Sequence, residues 1–244
     1  MVASDEQAGP DPATPAATPG VRRRRRPEFR TGRPTLTRER IARAALAVLG
    51  EGGPAELSMR NVAARLGVSP RALYNYVADR DDLLRELVAV CQADLPEPRL
   101  DPTRWRESLR AHCHALRAWY RAHPGLLALA RAEDLTPFAA PHALRADDAL
   151  LGFFLDIGLS TQNAYRAWMI TVLQVAGFAE VWDSWRDRPP AAQPAAVWAG
   201  VAPVEPDDDL PNLRLISRES TVESPDVLFG SVLDMLISGI EAMR

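Results

Sequence analysis

The chain has 244 residues, 47% hydrophobic and 25% charged, a composition that places it among globular proteins able to bury one large core or two smaller ones. Its formal net charge of -3 hides a division: residues 22–85 carry 15 Arg against 7 acids, a surplus of 8 positive charges, whereas residues 86–244 carry 14 Arg against 22 acids, a surplus of 8 negative charges. One end suits a polyanion and the other does not.

Every one of the 29 basic residues is Arg. That fits phosphate and base recognition, and it equally fits the codon usage of a GC-rich genome. The opening text "MVASDEQAGPDPATPAATPGVRRRRRP" has no apolar core of the secretory kind, so the chain is expected to remain in the cytoplasm, associated with the nucleoid. The most apolar stretch, "AWMITVLQVAGFAEVW", includes Thr171, Gln174 and Glu180 and is too short for a bilayer, so it reads as a buried helix and no membrane partner is expected. Cys91 and Cys113 give neither a disulfide framework nor zinc spacing and are expected in the core.

Residues 1–34, rich in Pro, Ala and Gly before "RRRRRPEFRTGRP", offer almost nothing apolar to bury and read as a disordered Arg-rich arm. Helical periodicity begins after Thr37, an N-cap, with Ile41, Ala45, Val48 and Leu49 on one face and "GEGG" at the close. Ser58 caps a second helix whose stripe is Met59, Val62, Ala63 and Leu66, ended by Gly67. Ser69 and Pro70 restart the chain at once, with Leu73 and Val77 inward. Asp79 then caps a helix bearing Leu83, Leu84, Leu87 and Val88. Further helices are expected from Asp101 to the "AHPG" break, from about Pro124 to Ala132, from Pro141 to Ile157, from Ser160 to about Asp187, and from Ser224 to near Met243. A Pro-rich acidic loop covers 189–211. With no strand-like alternation, the fold class is all-α: an N-terminal three-helix helix-turn-helix domain over 35–82 and a C-terminal helical domain over 83–244.

Two short helices joined by a turn containing Gly form a helix-turn-helix, whose second helix enters the DNA major groove. At 100° per residue, inward Leu73 and Val77 leave Arg71, Ala72, Asn75 and Tyr76 for the other side. Arg71 can reach guanine O6 and N7, Asn75 adenine N6 and N7, and Tyr76 a thymine methyl or a phosphate. The same pattern also describes a solvated helix in an ordinary bundle; the adjoining positive charge favours DNA.

The stretch "LTRERIARAALAVLGEGGPAELSMRNVAARLGVSPRALYNYVADRDDLLRELV" resembles the DNA-binding region of the TetR family of bacterial transcriptional regulators, with "LYNYV" at its recognition-helix core. "WRESLRAHCHALRAWYRAHPG", "GLSTQNAYRAW" and "PDVLFGSVLDMLISGIEAM" resemble the fifth, eighth and last helices of its tetracycline-repressor subclass. The resemblance implies a ligand-responsive repressor: a homodimer, joined through its eighth and last helices, that reads a palindromic double-stranded operator and is released by a small-molecule effector. It implies base-facing roles for Arg60, Arg71 and Ala72, with Asn75 and Tyr76 alongside, backbone contacts for Tyr74 and Arg80, and a phosphate near Thr37. It also implies drug-efflux or secondary-metabolite genes as targets. The alternative is a DNA-binding regulator or activator without a small-molecule ligand.

Arg33 lies in "RTGRP", an extended segment of the kind that enters a narrow minor groove; the other reading of the arm is nonspecific attraction through charge alone. In the regulatory half, Trp105, His112, Leu116, Trp119, Trp168, Phe178 and Trp182 gather aromatic and polar groups on two helices that the resemblance brings around an effector cavity. Each taken singly also suits a core or a dimer interface. His112 corresponds to a polar position that holds tetracycline, but Ala130 stands where that repressor has a metal-binding His, so no metal or other cofactor is expected. His112 and His114 point about 200° apart on a helix and cannot share an ion. No nucleophile, acid–base pair or phosphate loop has recognisable spacing, so the protein is expected not to be an enzyme.

Overall fold

The structure is a computed structural model that describes residues 29–30, 33–133, 141–187, 209–219 and 223–244. Met1–Thr35 and Leu36–Arg244 form separate compact units. Most of the expected arm and of the acidic loop lies outside the described residues. Within the first unit, Phe29–Arg30 and Arg33–Pro34 pair antiparallel, Phe29 opposite Pro34 and Arg30 opposite Arg33. This two-residue ladder is the only β-structure among the described residues, and the fold class is all-α.

The second unit begins with α1 (Arg38–Gly52), whose N-cap Thr37 accepts from the Arg40 amide at 3.1 Å. Its Ile41, Ala45, Val48 and Leu49 are buried. Ser58 caps α2 (Met59–Leu66) by accepting from the Asn61 amide, and Gly67 ends it at φ 65°, a left-handed conformation that costs a side-chain-bearing residue energy. After Val68, Ser69 occupies the N-cap position of α3 (Pro70–Leu73), but its hydroxyl makes no cap bond; Pro70 removes the amide at the first position instead. The helical turn runs on as the Tyr76 and Val77 amides both donate to the Leu73 carbonyl. Asp79 caps α4 (Arg80–Ala93) through the Asp82 amide at 2.8 Å. Leu73, Val77, Leu83, Leu84 and Leu87 complete one buried stripe with α1 and α2.

The 3-10 turn Pro102–Arg104, capped by Asp101, leads into α5 (Trp105–Ala122). Then come α6 (Leu126–Ala132), α7 (Pro141–Asp156) and α8 (Thr161–Phe178), the last continued by a π-helical turn at Ala179–Asp183 and a final turn Ser184–Arg186. Helix α9 (Pro211–Glu219) follows directly on the stretch expected to be loop, where no helix is expected from the sequence, and α10 (Pro225–Met243) closes the chain behind N-cap Ser224. Helix α5 packs against α8 and α10, and α7 against α8 and α4. The "AHPG" corner seats on α1: a Cβ on Gly125, at φ 81°, would stand 3.1 Å from the Leu49 carbonyl oxygen. That tight approach and the left-handed backbone both favour glycine. No helix of the described residues is long and apolar enough to cross a membrane.

Candidate functional site

The α2–α3 unit presents a cationic face. Arg71, Tyr74 and Asn75 are exposed, as is Arg60 on α2, while Ala72 is half-buried. Most arginines nearby are engaged: Arg38 bonds Asp82 at 2.6 Å and Glu86 at 2.8 Å, Arg43 bonds Asp94 at 3.2 Å, and Arg65 bonds Glu51 at 2.6 Å. Arg60 and Arg71 form no ion pair among the described residues. The guanidinium groups of Arg60 and Arg71 are therefore held out to solvent, and exposed Tyr74 and Asn75 add a phenol and a carboxamide, side-chain types that read base edges.

Tyr76 departs from the outward position expected of it. It is half-buried and packs against the core. The reason is angular: three residues after Leu73 the helix has turned 300°, so Tyr76 falls only about 60° from the buried stripe, whereas Arg71 and Asn75 oppose it. Tyr74, with 53% of its surface exposed, is the more available phenol. Arg80 is held by internal partners, donating to the Leu57 carbonyl and to Glu133 at 2.6 Å. Thr37 is exposed and its hydroxyl is occupied by its cap bond. Arg33 belongs to the two-residue ladder of the first unit.

Arg38 ties the end of α3 to α4. Besides Asp82 and Glu86, it donates to the Tyr76 carbonyl. The Arg38 guanidinium, followed by the Ala78 amide, holds the Asp82 carboxyl below its usual range.

At its other end α4 walls a cavity. Gln92 together with Leu95 and Pro96, just beyond the helix, faces His112, Leu116, Trp119 and Tyr120 of α5 and Asp147 and Leu150 of α7. The free volume is about 50 Å³. Burial pushes the His112 imidazole down to about 4, so it is neutral near pH 7. Burial also raises Asp147, partly offset by the Trp168 indole N–H, which donates to it at 3.0 Å. The Tyr120 phenol is raised by burial and then by the nearby Asp147 charge.

Of the seven aromatic and polar residues expected around the cavity, His112, Leu116 and Trp119 line it, and Trp168 reaches it through Asp147. Trp105, Phe178 and Trp182 do not line it, which corrects the expectation of a single cluster. Trp105 lies under Arg106 and Arg244, Phe178 meets Phe229 at a tilt with ring centroids 5.0 Å apart, and Trp182 meets Trp185 at 6.4 Å. These rings face α10 or their own helix end, on other sides of α5 and α8.

Asp147 is a cavity residue that the sequence reasoning missed, although its signal is present. It stands four residues after Ala143 and three before Leu150, both buried, so a carboxylate interrupts an apolar stripe. Also missed was a buried ion pair: Arg117 donates twice to Asp183, at 2.7 Å each, with side chains 5% and 1% exposed. Phe178 and Phe229 flank the guanidinium, 4.8 and 4.5 Å from its carbon, and Asp226 of α10 adds a second carboxylate at 3.0 Å. The π-helical turn carries Asp183 and is invisible to a periodicity of 3.6.

No group of three or more His, Cys, Asp or Glu side chains among the described residues could hold a metal. His112 faces the cavity, whereas exposed His114 meets Phe229 edge-on at 5.3 Å. Cys91 and Cys113 are buried, with thiols pushed up to about 12. They are not poised as nucleophiles.

A helix-turn-helix with an exposed cationic face, joined by one helix to a walled cavity, defines a DNA-binding transcriptional regulator. The profile of the bacterial regulatory proteins, tetR family, matches residues 41–87, and that of the tetracyclin repressor-like C-terminal domain matches residues 97–244. The chain belongs to the TetR family. It is similar to the HTH-type transcriptional repressor DrrR1 of Streptomyces coeruleorubidus, with 29% identity over 90% of this chain and 82% of that protein. It is likewise similar to the tetracycline repressor protein class C of Escherichia coli, with 31% identity over 86% and 92%. Among solved structures, the Streptomyces coelicolor TetR family protein ActR in complex with actinorhodin superposes with a TM-score of 0.63 at 28% identity, covering 85% of this chain and 98% of that one.

Proposed function

We propose that the protein is a ligand-responsive transcriptional repressor that acts in the cytoplasm, binds a palindromic operator as a homodimer and leaves it when a small molecule occupies the cavity. The observation that carries this reading is that Arg60 and Arg71 of the helix-turn-helix face solvent, together with exposed Tyr74 and Asn75. Ala72 and Tyr76 flank these base-reading groups; Thr37 and, after release from its internal partners, Arg80 serve the phosphates. Arg33 and the arm add charge from the first unit.

Dimerisation is supported by large apolar side chains left exposed on α8 and α10: Tyr165, Ile170 and Leu173 on one, Val227 and Met235 on the other. A second copy of the chain would bury both helices in a four-helix bundle and set two recognition turns at half-site spacing.

The coupling runs through α4. A drug-sized ligand needs roughly 300 Å³ or more, so it must widen a cavity whose free volume is about 50 Å³. One wall is Gln92 of α4 with Leu95 and Pro96 just beyond it; Asp82 and Glu86 on the same helix hold Arg38, and through it the Tyr76 carbonyl. Displacing α4 therefore moves the recognition turn. The ligand drives the change only by binding the displaced state more tightly. ActR, solved with actinorhodin, supports an effector in this fold, and the repressors DrrR1 and tetracycline repressor class C support repression over activation. The tightness of the cavity is the one observation that favours a regulator without a ligand.

The test is fluorescence anisotropy of the purified protein on a duplex selected from a random pool, against an unselected duplex. A palindromic winner bound about a thousandfold or more tighter than the control is expected; equal binding would overturn the reading of α3. Release of that duplex by a compound tests the effector, and protection that no compound relieves would favour the ligand-free alternative.

A further inference from the structure

The cavity wall is electrostatically one-sided. Three elements contribute its polar groups: Gln92 from α4, His112 and Tyr120 from α5, and Asp147 from α7. His112 is neutral near pH 7, Gln92 and Tyr120 carry no charge there, and no Arg lines the cavity among the described residues. Asp147 is thus the single formal charge facing an otherwise apolar space. The Trp168 indole donates to it, a neutral N–H that brings the carboxylate no counter-ion. Arg145 and Asp148, its charged neighbours on α7, are exposed on the helix's other sides. An anionic ligand placed here would meet a like charge and no cation. A protonated amine would supply the missing counter-ion, and the faces of Trp119 and Tyr120, both in the wall, attract a cation as well.

We propose that the effector is an aromatic compound bearing a protonated amine, with Asp147 as its counter-ion and Trp119 and Tyr120 as the walls of its binding site. This rests on the reading of the cavity as an effector site. The aromatic part follows from the apolar lining supplied by Leu95, Leu116 and Leu150. Neutral His112 then offers a hydrogen-bonding group for an uncharged oxygen or nitrogen on the ring system.

The experiment uses the full-length protein and matched probes in a naphthalene and an anthracene series: the aminoethyl compound, its N-acetyl derivative and the corresponding propionic acid. Quenching of tryptophan fluorescence, to which Trp119 contributes from the wall, gives each dissociation constant. The amine is expected to bind roughly tenfold or more tightly than either counterpart. Asp147→Asn should bring the three within about twofold of one another, and Asp147→Glu, which keeps the charge, should keep the order. Thermal melting of both variants separates a lost preference from a lost fold. Tighter binding of the acid or the N-acetyl compound, or an amine preference that survives Asp147→Asn, overturns the charge assignment while leaving the effector site standing. Absence of saturable quenching by every probe in both series overturns the effector reading itself.

Discussion

The recognition end and the regulatory half share α4 but hold their charges in opposite ways. Around α1 to α4, guanidinium groups sit near the surface; those of Arg38, Arg43 and Arg65 are matched by carboxylates, and those of Arg60 and Arg71 are left to solvent. Around α5, α8 and α10, one guanidinium is buried between two rings and gripped by two carboxylates, and the cavity that α5 shares with α4 and α7 keeps a neutral His and a lone Asp. Surface pairs contribute little to stability and can exchange partners with a phosphate at small cost, whereas a buried pair cannot lose one member without exposing the other to an apolar interior. The first arrangement suits reversible contact with a polyanion. The second suits a rigid frame against which one wall can move.

Breaking the frame should give the largest effect. Asp183→Ala leaves the Arg117 guanidinium, 5% exposed, with only the solvent-facing carboxylate of Asp226. A loss of about 3–5 kcal/mol is expected from the uncompensated charge, read as a lowered urea midpoint at unchanged slope. Asp82→Ala, which removes a surface partner of Arg38, should cost far less, and equal losses would break the contrast between the two regions.

The neutral imidazole in the cavity gives the next effect. The folded-state pKa of His112 is about 4 against an ordinary 6.5, so the unfolded chain binds the extra proton first. The stability tied to this group is complete above about pH 6.5 and drains away as the pH falls towards 4, by up to about 3 kcal/mol. Asp147, raised by burial in the same cavity, opposes that slope, because it takes up a proton more readily folded than unfolded. His112→Gln should therefore flatten the decline in urea midpoint between pH 6.5 and 4, and a variant with the same decline would remove His112 from the account.

A smaller effect is expected on the DNA side. Arg71→Ala should weaken binding to the selected duplex by about 1–3 kcal/mol and relax the choice of base at one position per half-site, measured by anisotropy on single-base variants. Stability should stay within about 0.5 kcal/mol, since the exposed side chain holds nothing else in place. Tyr76→Ala, by contrast, should lose stability as well as affinity, because its ring packs against the core.

The difference between the two regions also governs how much of each was legible. The caps at Thr37, Ser58, Asp79, Ser160 and Ser224 and the left-handed Gly67 are local events, and each is written in a few consecutive residues. The recognition turn follows largely from them, although Ser69 makes no cap bond and Arg80 is held internally, and Tyr76 turns towards the core by a rotation the 3.6-residue repeat already contains. The cavity is not local. Which rings share a wall depends on how α4, α5 and α7 cross, so Trp105, Phe178 and Trp182 could be found on apolar faces without being assigned to the right one. The π-helical turn that delivers Asp183 breaks the periodicity from which any such assignment starts, and α9 lacked a cap signal strong enough to mark it.

The arm offers the smallest and most discriminating perturbation of the recognition end. Deleting residues 1–30 removes Arg22–Arg26 and Arg30, and each phosphate that is no longer neutralised should flatten the fall of log K with log salt by about 0.9. If these arginines only add nonspecific attraction, affinity for the selected and unselected duplexes falls by the same factor and the specificity ratio is unchanged. If the segment around "RTGRP" enters a narrow minor groove, replacing an AT-rich flank of the operator by a GC-rich one should weaken the full chain and leave the truncated chain unaffected. An unchanged salt slope would assign the positive surplus of residues 22–85 to α1–α4 alone. DNA binding would then rest on the arginines that the helix-turn-helix itself holds out.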